Sequence, residues 1–140
     1  DDVMVRALQA AAMRGVDVRI LLPASADNRL VELASFTYYD EMLTCGVKLY
    51  RYQGQFLHQK VFLVDHDLAA VGTVNLDNRS LYLNFEATAL VADCGFANQV
   101  SAMLETDLAQ SEMVDSAHFS DKRVWFRVAA RVARLASPLL

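Results

Sequence analysis

Apolar and polar positions along the chain predict helices alternating with short strands. Between residues 1 and 14, Val3, Met4, Ala7, Leu8, Ala11 and Ala12 recur at helical spacing, and Gly15 ends the stripe. Asp1 and Asp2 place negative charge at the positive end of that helix dipole. Val16 to Leu22 reads as a strand closed by Pro23. Asn28 to Cys45 predicts a second helix, with Asp27 or Asn28 as N-cap and Gly46 as terminator. Its apolar face is Leu30, Leu33, Ala34, Tyr38, Met42 and Cys45, and Tyr38 and Tyr39 are expected to pack. Val47 to Tyr52 is a short strand, and Gln53-Gly54-Gln55 a loop.

Val61 to Val64 is a run without a polar residue, read as a buried strand that enters a turn at Asp65-His66-Asp67. Leu68 to Val71 is the returning strand, Leu76 to Leu83 an irregular polar connection, and Asn84 to Ala92 another strand. Phe96 to Met113 is expected to be one helix, with Phe96, Val100, Met103, Leu104 and Leu108 on one side. Asp121 to Ala136 is the last helix.

This alternation predicts an α/β domain, a mixed sheet covered by helices. The first helix and strand form the second half of a βαβ crossover, whose first strand is expected upstream of Asp1. A chain of 140 residues with 54% hydrophobic content suits one domain over 1–140, and it shows no repeat or dividing linker. It opens on Asp1-Asp2 rather than Met, so it is expected to be part of something longer.

A formal charge of −4 provides no general attraction to nucleic acid or anionic lipid. Locally the balance differs, because Lys122, Arg123, Arg127, Arg131 and Arg134 fall in the last twenty residues. Within 121–140, Arg127, Arg131 and Arg134 share one helical face, and Val124, Val128, Val132 and Leu135 another, with Trp125 and Phe126 near the start. That pattern fits an interfacial helix for anionic lipid and equally a helix packed on the domain with arginines outward. No apolar run reaches the ~18 residues needed to span a bilayer, so the chain is read as soluble or peripheral. Cys45 and Cys94 have no paired spacing and are expected to be buried free thiols in a reducing compartment.

The candidate chemistry lies in Phe56-Leu57-His58-Gln59-Lys60, followed by Gly72-Thr73-Val74-Asn75. On an extended segment His58 and Lys60 project from the same side, about 6.5–7 Å apart along the chain. An imidazole beside an ammonium suits a reacting anion: the ring acts as nucleophile or proton carrier and the lysine supplies positive charge. Gly72 adds a permissive backbone position, Thr73 a hydroxyl and Asn75 an amide. Glu86 stands among apolar and neutral neighbours and needs a partner. Asp65 precedes a turn, a position where aspartate is ordinary.

These residues resemble the phospholipase D superfamily, whose pattern is H-x-K, four residues, D, six residues, then G-S/T-x-N. His58, Lys60, Asp65, Gly72, Thr73 and Asn75 match every slot, with threonine where the family more often has serine. The segment GTVNLDNRSLYLNFE from Gly72 to Glu86 is similar to the bacterial cardiolipin synthase branch, as are RGVDVRILLP and the ending ARLASPLL.

The resemblance implies a phospholipase D-like fold that is one of two pseudo-equivalent halves, here the C-terminal one. It implies phosphatidyl transfer between two phosphatidylglycerol molecules through a phosphohistidine, at the cytoplasmic side of a bacterial inner membrane. Another phosphodiesterase of phospholipid or nucleic acid, or a non-catalytic docking half, are the alternatives, and the acidic charge speaks against nucleic acid.

In this family His58 is either the nucleophile or the general acid, with the other role taken by a second copy of the motif. Lys60 and Asn75 stabilise charge on phosphorus. Thr73 donates to a phosphate oxygen or orients its neighbours, and Asp65 supports the motif. Glu86 holds the far nitrogen of His58, against the plainer reading of a salt bridge to Arg79. Arg79, with Asp77, Asn78 and Ser80, belongs to the polar loop after the motif. No cofactor or metal is implied, and His66 and His118 are read as solvent-facing.

Overall fold

The computed structural model describes residues 2–24, 29–54, 56–115, 129, 130, 132 and 133. Its elements run α1 (Asp2–Met13), β1 (Arg19–Pro23), α2 (Arg29–Thr44), β2 (Lys48–Tyr52), β3 (Val61–Val64), β4 (Leu68–Gly72), α3 (Asn78–Tyr82), β5 (Thr88–Ala92), α4 (Cys94–Ala109) and β6 (Ser111–Met113). Gly15 and Gly46 stop α1 and α2 with φ of +92° and +90°, the left-handed conformation that glycine adopts without a Cβ penalty.

The expected α/β class holds, and among the described residues the strands form two sheets of three, ordered β1-β2-β6 and β3-β4-β5. In the first, β1 and β2 are parallel, joined by the α2 crossover, and β6 adds antiparallel to β2. The second is an antiparallel meander. Helix α4 packs against strands of both sheets and so fixes one to the other.

One core lies under α1 and α2, where Val5, Met42, Val47 and Leu49 are buried together. Tyr38 and Tyr39 pack against it, as their spacing predicts. Beneath α4 the buried residues are Ala69, Ala97 and Val100, while Met103, expected on the apolar face, is exposed. The β3 run is not buried on both faces, because Phe62 and Val64 reach the surface. Cys94 is exposed and Cys45 half-buried, so neither free thiol is the core residue expected from composition.

Three further boundaries differ from the sequence reading. The 76–83 connection contains α3, because Asp77 caps it by accepting from Ser80 N at 2.6 Å. The predicted strand from Asn84 begins only at Thr88. The predicted helix 96–113 starts at Cys94 under the Asp93 cap and stops at Ala109, leaving Ser111–Met113 to pair with β2. His66 is exposed, as expected of the turn, whereas His118, Arg127, Arg131 and Arg134 lie outside the described residues. Among the described residues no helix is long and apolar enough to cross a membrane.

An ion cluster ties both parallel strands to α4. Asp17 pairs with Arg19 at 2.7 Å and Lys48 at 2.8 Å, and Arg19 reaches Glu105 at 3.0 Å. The bonds from Arg19 and then Lys48 hold the Asp17 carboxyl down to about 2. A carboxyl with a depressed folded-state pKa stabilises the fold above its unfolded pKa, and that contribution disappears as pH falls from about 4 to about 2. The Asp17 side chain is 43% exposed, so solvent screening keeps the contribution below about 1 kcal/mol. Asp17→Asn is therefore expected to lower the urea midpoint slightly at pH 7, with the difference from wild type closing by pH 2.

Candidate active site

His58 and Lys60 lie on the extended lead into β3, one residue or more before its first assigned position. Gly72 N donates to Lys60 O at 3.1 Å and so extends the β3–β4 ladder back to the motif. The intervening Gln59 points elsewhere: its amide donates to Asp107 of α4. Alternation along the extended chain then leaves His58 and Lys60 together on the other side.

The two side chains touch. Lys60 Nζ lies 2.9 Å from His58 Nε2 and also donates to His58 O at 3.3 Å. An ammonium has only donors, so Nε2 must accept, which puts the imidazole proton on Nδ1. In that tautomer the Nε2 lone pair of the exposed ring is directed at the Lys60 ammonium. Phe56, two residues earlier on the same side, stacks on that ring with centroids 5.5 Å apart and planes 20° apart.

Gly72 is required where β4 meets β5. A Cβ there would collide with Ala87 O, Thr88 Oγ1 and Thr88 Cα. Thr73 N donates to Ala87 O at 3.0 Å, and Ala87 N donates to Thr73 Oγ1 at 3.0 Å. This reciprocal pair brings Glu86, the residue before Ala87, against the Thr73 hydroxyl. The nearby Thr73 hydroxyl and then the hydrogen bond from Asn84 hold the Glu86 carboxyl below its ordinary value, and the positive charge of Lys60 acts in the same direction. The Ser80 hydroxyl also lies near enough to favour that carboxylate, although it is buried and outside hydrogen-bond geometry.

Several expected contacts take another form. No hydrogen bond joins Glu86 to His58 among the described residues; the groups on the His58 ring are Lys60 and Phe56. Glu86 forms no salt bridge with Arg79 either. Arg79 Nε donates to Asn84 Oδ1 at 3.3 Å, and Asn84 Nδ2 donates to Glu86 Oε1 at 3.1 Å. The Thr73 hydroxyl is joined to the Ala87 backbone, accepting from Ala87 N at 3.0 Å and donating to Ala87 O at 3.4 Å. Asn75 is exposed beyond the end of β4, with no hydrogen bond of its own among the described residues.

Asp65 is not brought to this cluster. It is exposed in the β3–β4 turn with φ of +51°, a conformation aspartate tolerates better than most residues. Seven residue-to-residue steps of largely extended chain lie between it and His58, about 23 Å at ~3.3 Å per step. Phe56, Gln59 and Asn84 were not singled out by sequence. Their two-residue offset from His58 or Glu86 is the available signal for Phe56 and Asn84, and nothing local marks the Gln59–Asp107 link.

The assembled group is an exposed imidazole with a directed lone pair, a cation on the same side, and a carboxylate that the cation helps keep ionised. It can receive a tetrahedral anion and stabilise added charge on it.

A protein-family profile described as "Cardiolipin synthase, PLD-like domain" matches residues 1–108. The chain is 51% identical over 141 residues to cardiolipin synthase A of Pseudomonas aeruginosa, covering 100% of this chain and 29% of that protein. It is 46% identical over 140 residues to cardiolipin synthase A of Pseudomonas putida, with the same coverage of each. The chain thus spans 29% of the length of these curated relatives. The fold is similar to the crystal structure of a phospholipase D family member, Nuc from Salmonella typhimurium. That match has a TM-score of 0.71 at 23% identity and covers 79% of this chain and 72% of the other.

Proposed function

Because the chain belongs to the cardiolipin synthase, PLD-like domain family, we propose that it is one half of a phosphatidyltransferase condensing two phosphatidylglycerol molecules into cardiolipin and glycerol. The observation that carries this reading is the 2.9 Å approach of Lys60 Nζ to Nε2 of an exposed His58. A phosphodiester arriving at the ring offers Lys60 a better acceptor, an anionic oxygen, and the ammonium moves from nitrogen to phosphate. This frees the Nε2 lone pair at the moment the phosphorus is in place.

The chain carries one copy of the motif, so a second copy, in another part of the polypeptide or in another molecule, completes the site. One histidine attacks phosphorus to form a phosphohistidine, and the other protonates the departing glycerol oxygen. The second histidine then takes the proton from the hydroxyl of the next phosphatidylglycerol, whose oxygen displaces the first histidine from phosphorus. His58 fills one of these two roles. Lys60 and Asn75 hold the non-bridging oxygens while charge builds on them. The lipid substrate places this chemistry at a membrane surface, proposed to be the cytoplasmic face of a bacterial inner membrane.

The test is the full-length protein incubated with phosphatidylglycerol vesicles. Cardiolipin and glycerol in equal amounts are the expected products. Phosphatidic acid alone, or no new lipid, would overturn the reading.

A further inference from the structure

Arg79 and Glu86 are opposite charges close enough to share one amide, yet they do not pair. Asn84 stands between them, accepting from Arg79 Nε at 3.3 Å and donating to Glu86 Oε1 at 3.1 Å. Its backbone is fixed to the same arginine: Leu83 N and Asn84 N both donate to Arg79 O, at 3.0 and 2.9 Å, where α3 ends. From there the extended chain to Glu86 puts residues 84 and 86 on one side. A neutral amide can satisfy a donor and an acceptor together, which no charged side chain of this size can do.

We propose that Asn84 is a positioning residue that holds Arg79 and Glu86 while keeping them from neutralising each other. Among the described residues the two terminal nitrogens of Arg79 have no partner, so its planar fork is left for the phosphate of an incoming substrate. Glu86 meanwhile keeps its carboxylate for Thr73 and for the charge of Lys60. With a direct Arg79–Glu86 bridge, each would be spent on the other, and the cluster would lose one phosphate-binding cation. This inference rests on the phosphodiester reading above and adds to it a residue that sets substrate affinity.

The experiment uses the full-length protein and phosphatidylglycerol in mixed micelles, with Asn84→Asp and Asn84→Ala. Asn84 is exposed, so both variants are expected to keep the wild-type urea midpoint. In Asn84→Asp the new carboxylate captures Arg79 and repels Glu86. KM is expected to rise about tenfold, the scale of one charge-assisted hydrogen bond, and the acid limb of kcat is expected to move to higher pH. In Asn84→Ala the guanidinium closes on Glu86 directly. KM rises similarly, without the upward movement of the acid limb. A residue that merely stabilised the loop would move neither KM nor the pH profile in a folded variant. Unchanged KM and an unchanged acid limb in both variants would overturn the inference while leaving the transferase reading intact. A wild-type protein that transfers no phosphatidyl group would overturn the reading beneath it instead, and the inference with it.

Discussion

Replacing His58 by alanine in the full-length protein is expected to remove phosphatidyl transfer, and the size of the loss identifies its role. A nucleophile that forms the covalent intermediate has no substitute, and its removal costs on the order of 10⁶ in kcat in comparable systems. A general acid is worth about 10²–10⁴. The exposed ring is not part of the packed core, so the variant should retain its fold and its urea midpoint. Steady-state rates with labelled phosphatidylglycerol, measured beside that midpoint, check both points. A variant with wild-type activity would assign this half to docking or support.

Lys60→Met is expected to be the second-largest loss, about 10²–10³ in kcat, as for removal of one preorganised charge donor. Two effects combine. The phosphate oxygens lose a cation, and His58 Nε2 loses the donor that selects its tautomer. Lys60→Arg is not expected to restore full activity, because a planar fork cannot reproduce a compact ammonium that serves both Nε2 and the backbone carbonyl of His58. The acid limb of the Lys60→Met pH–rate profile should also move slightly to higher pH, because the lysine's charge helps hold the Glu86 carboxyl down; an unmoved acid limb would mean that the rate does not depend on that carboxylate.

The parts of the architecture legible in sequence were those governed by local rules. The apolar stripe of α1, the stops at Gly15 and Gly46, and the β1–α2–β2 crossover follow from periodicity and from glycine in the left-handed region. The β3–β4 hairpin follows from an apolar run beside a turn segment. What escaped depended on pairing between distant residues. Ser111-Glu112-Met113 carries no strand signal of its own and becomes β6 only because the edge of β2 is open to it. The division into two sheets depends on α4 filling the space between them, which no window of sequence shows.

The site divides along the same line. The proximity of His58 and Lys60 follows from a two-residue offset on an extended segment, and the structure bears it out at 2.9 Å. The partners of Glu86 did not follow from sequence. They are set by the close approach of β4 and β5 at Gly72 and by the turn after α3, so Thr73 and Asn84 lie beside Glu86 where a histidine or, on the plainer reading, an arginine was expected. Asp65 matches its slot in the motif, but the length of β3 carries it away from the imidazole.

For transfer to occur, a phosphoryl group must meet the imidazole of residue 58 on the side where Lys60 stands. The most direct measurement is a crystal structure of the full-length protein with vanadate, an analogue of five-coordinate phosphorus. The oxyanion is expected within ~3 Å of His58 Nε2, with Lys60 Nζ transferred from the ring to an equatorial oxygen and Asn75 donating to another. Vanadate bound elsewhere, with the Lys60–His58 contact still closed, would contradict it.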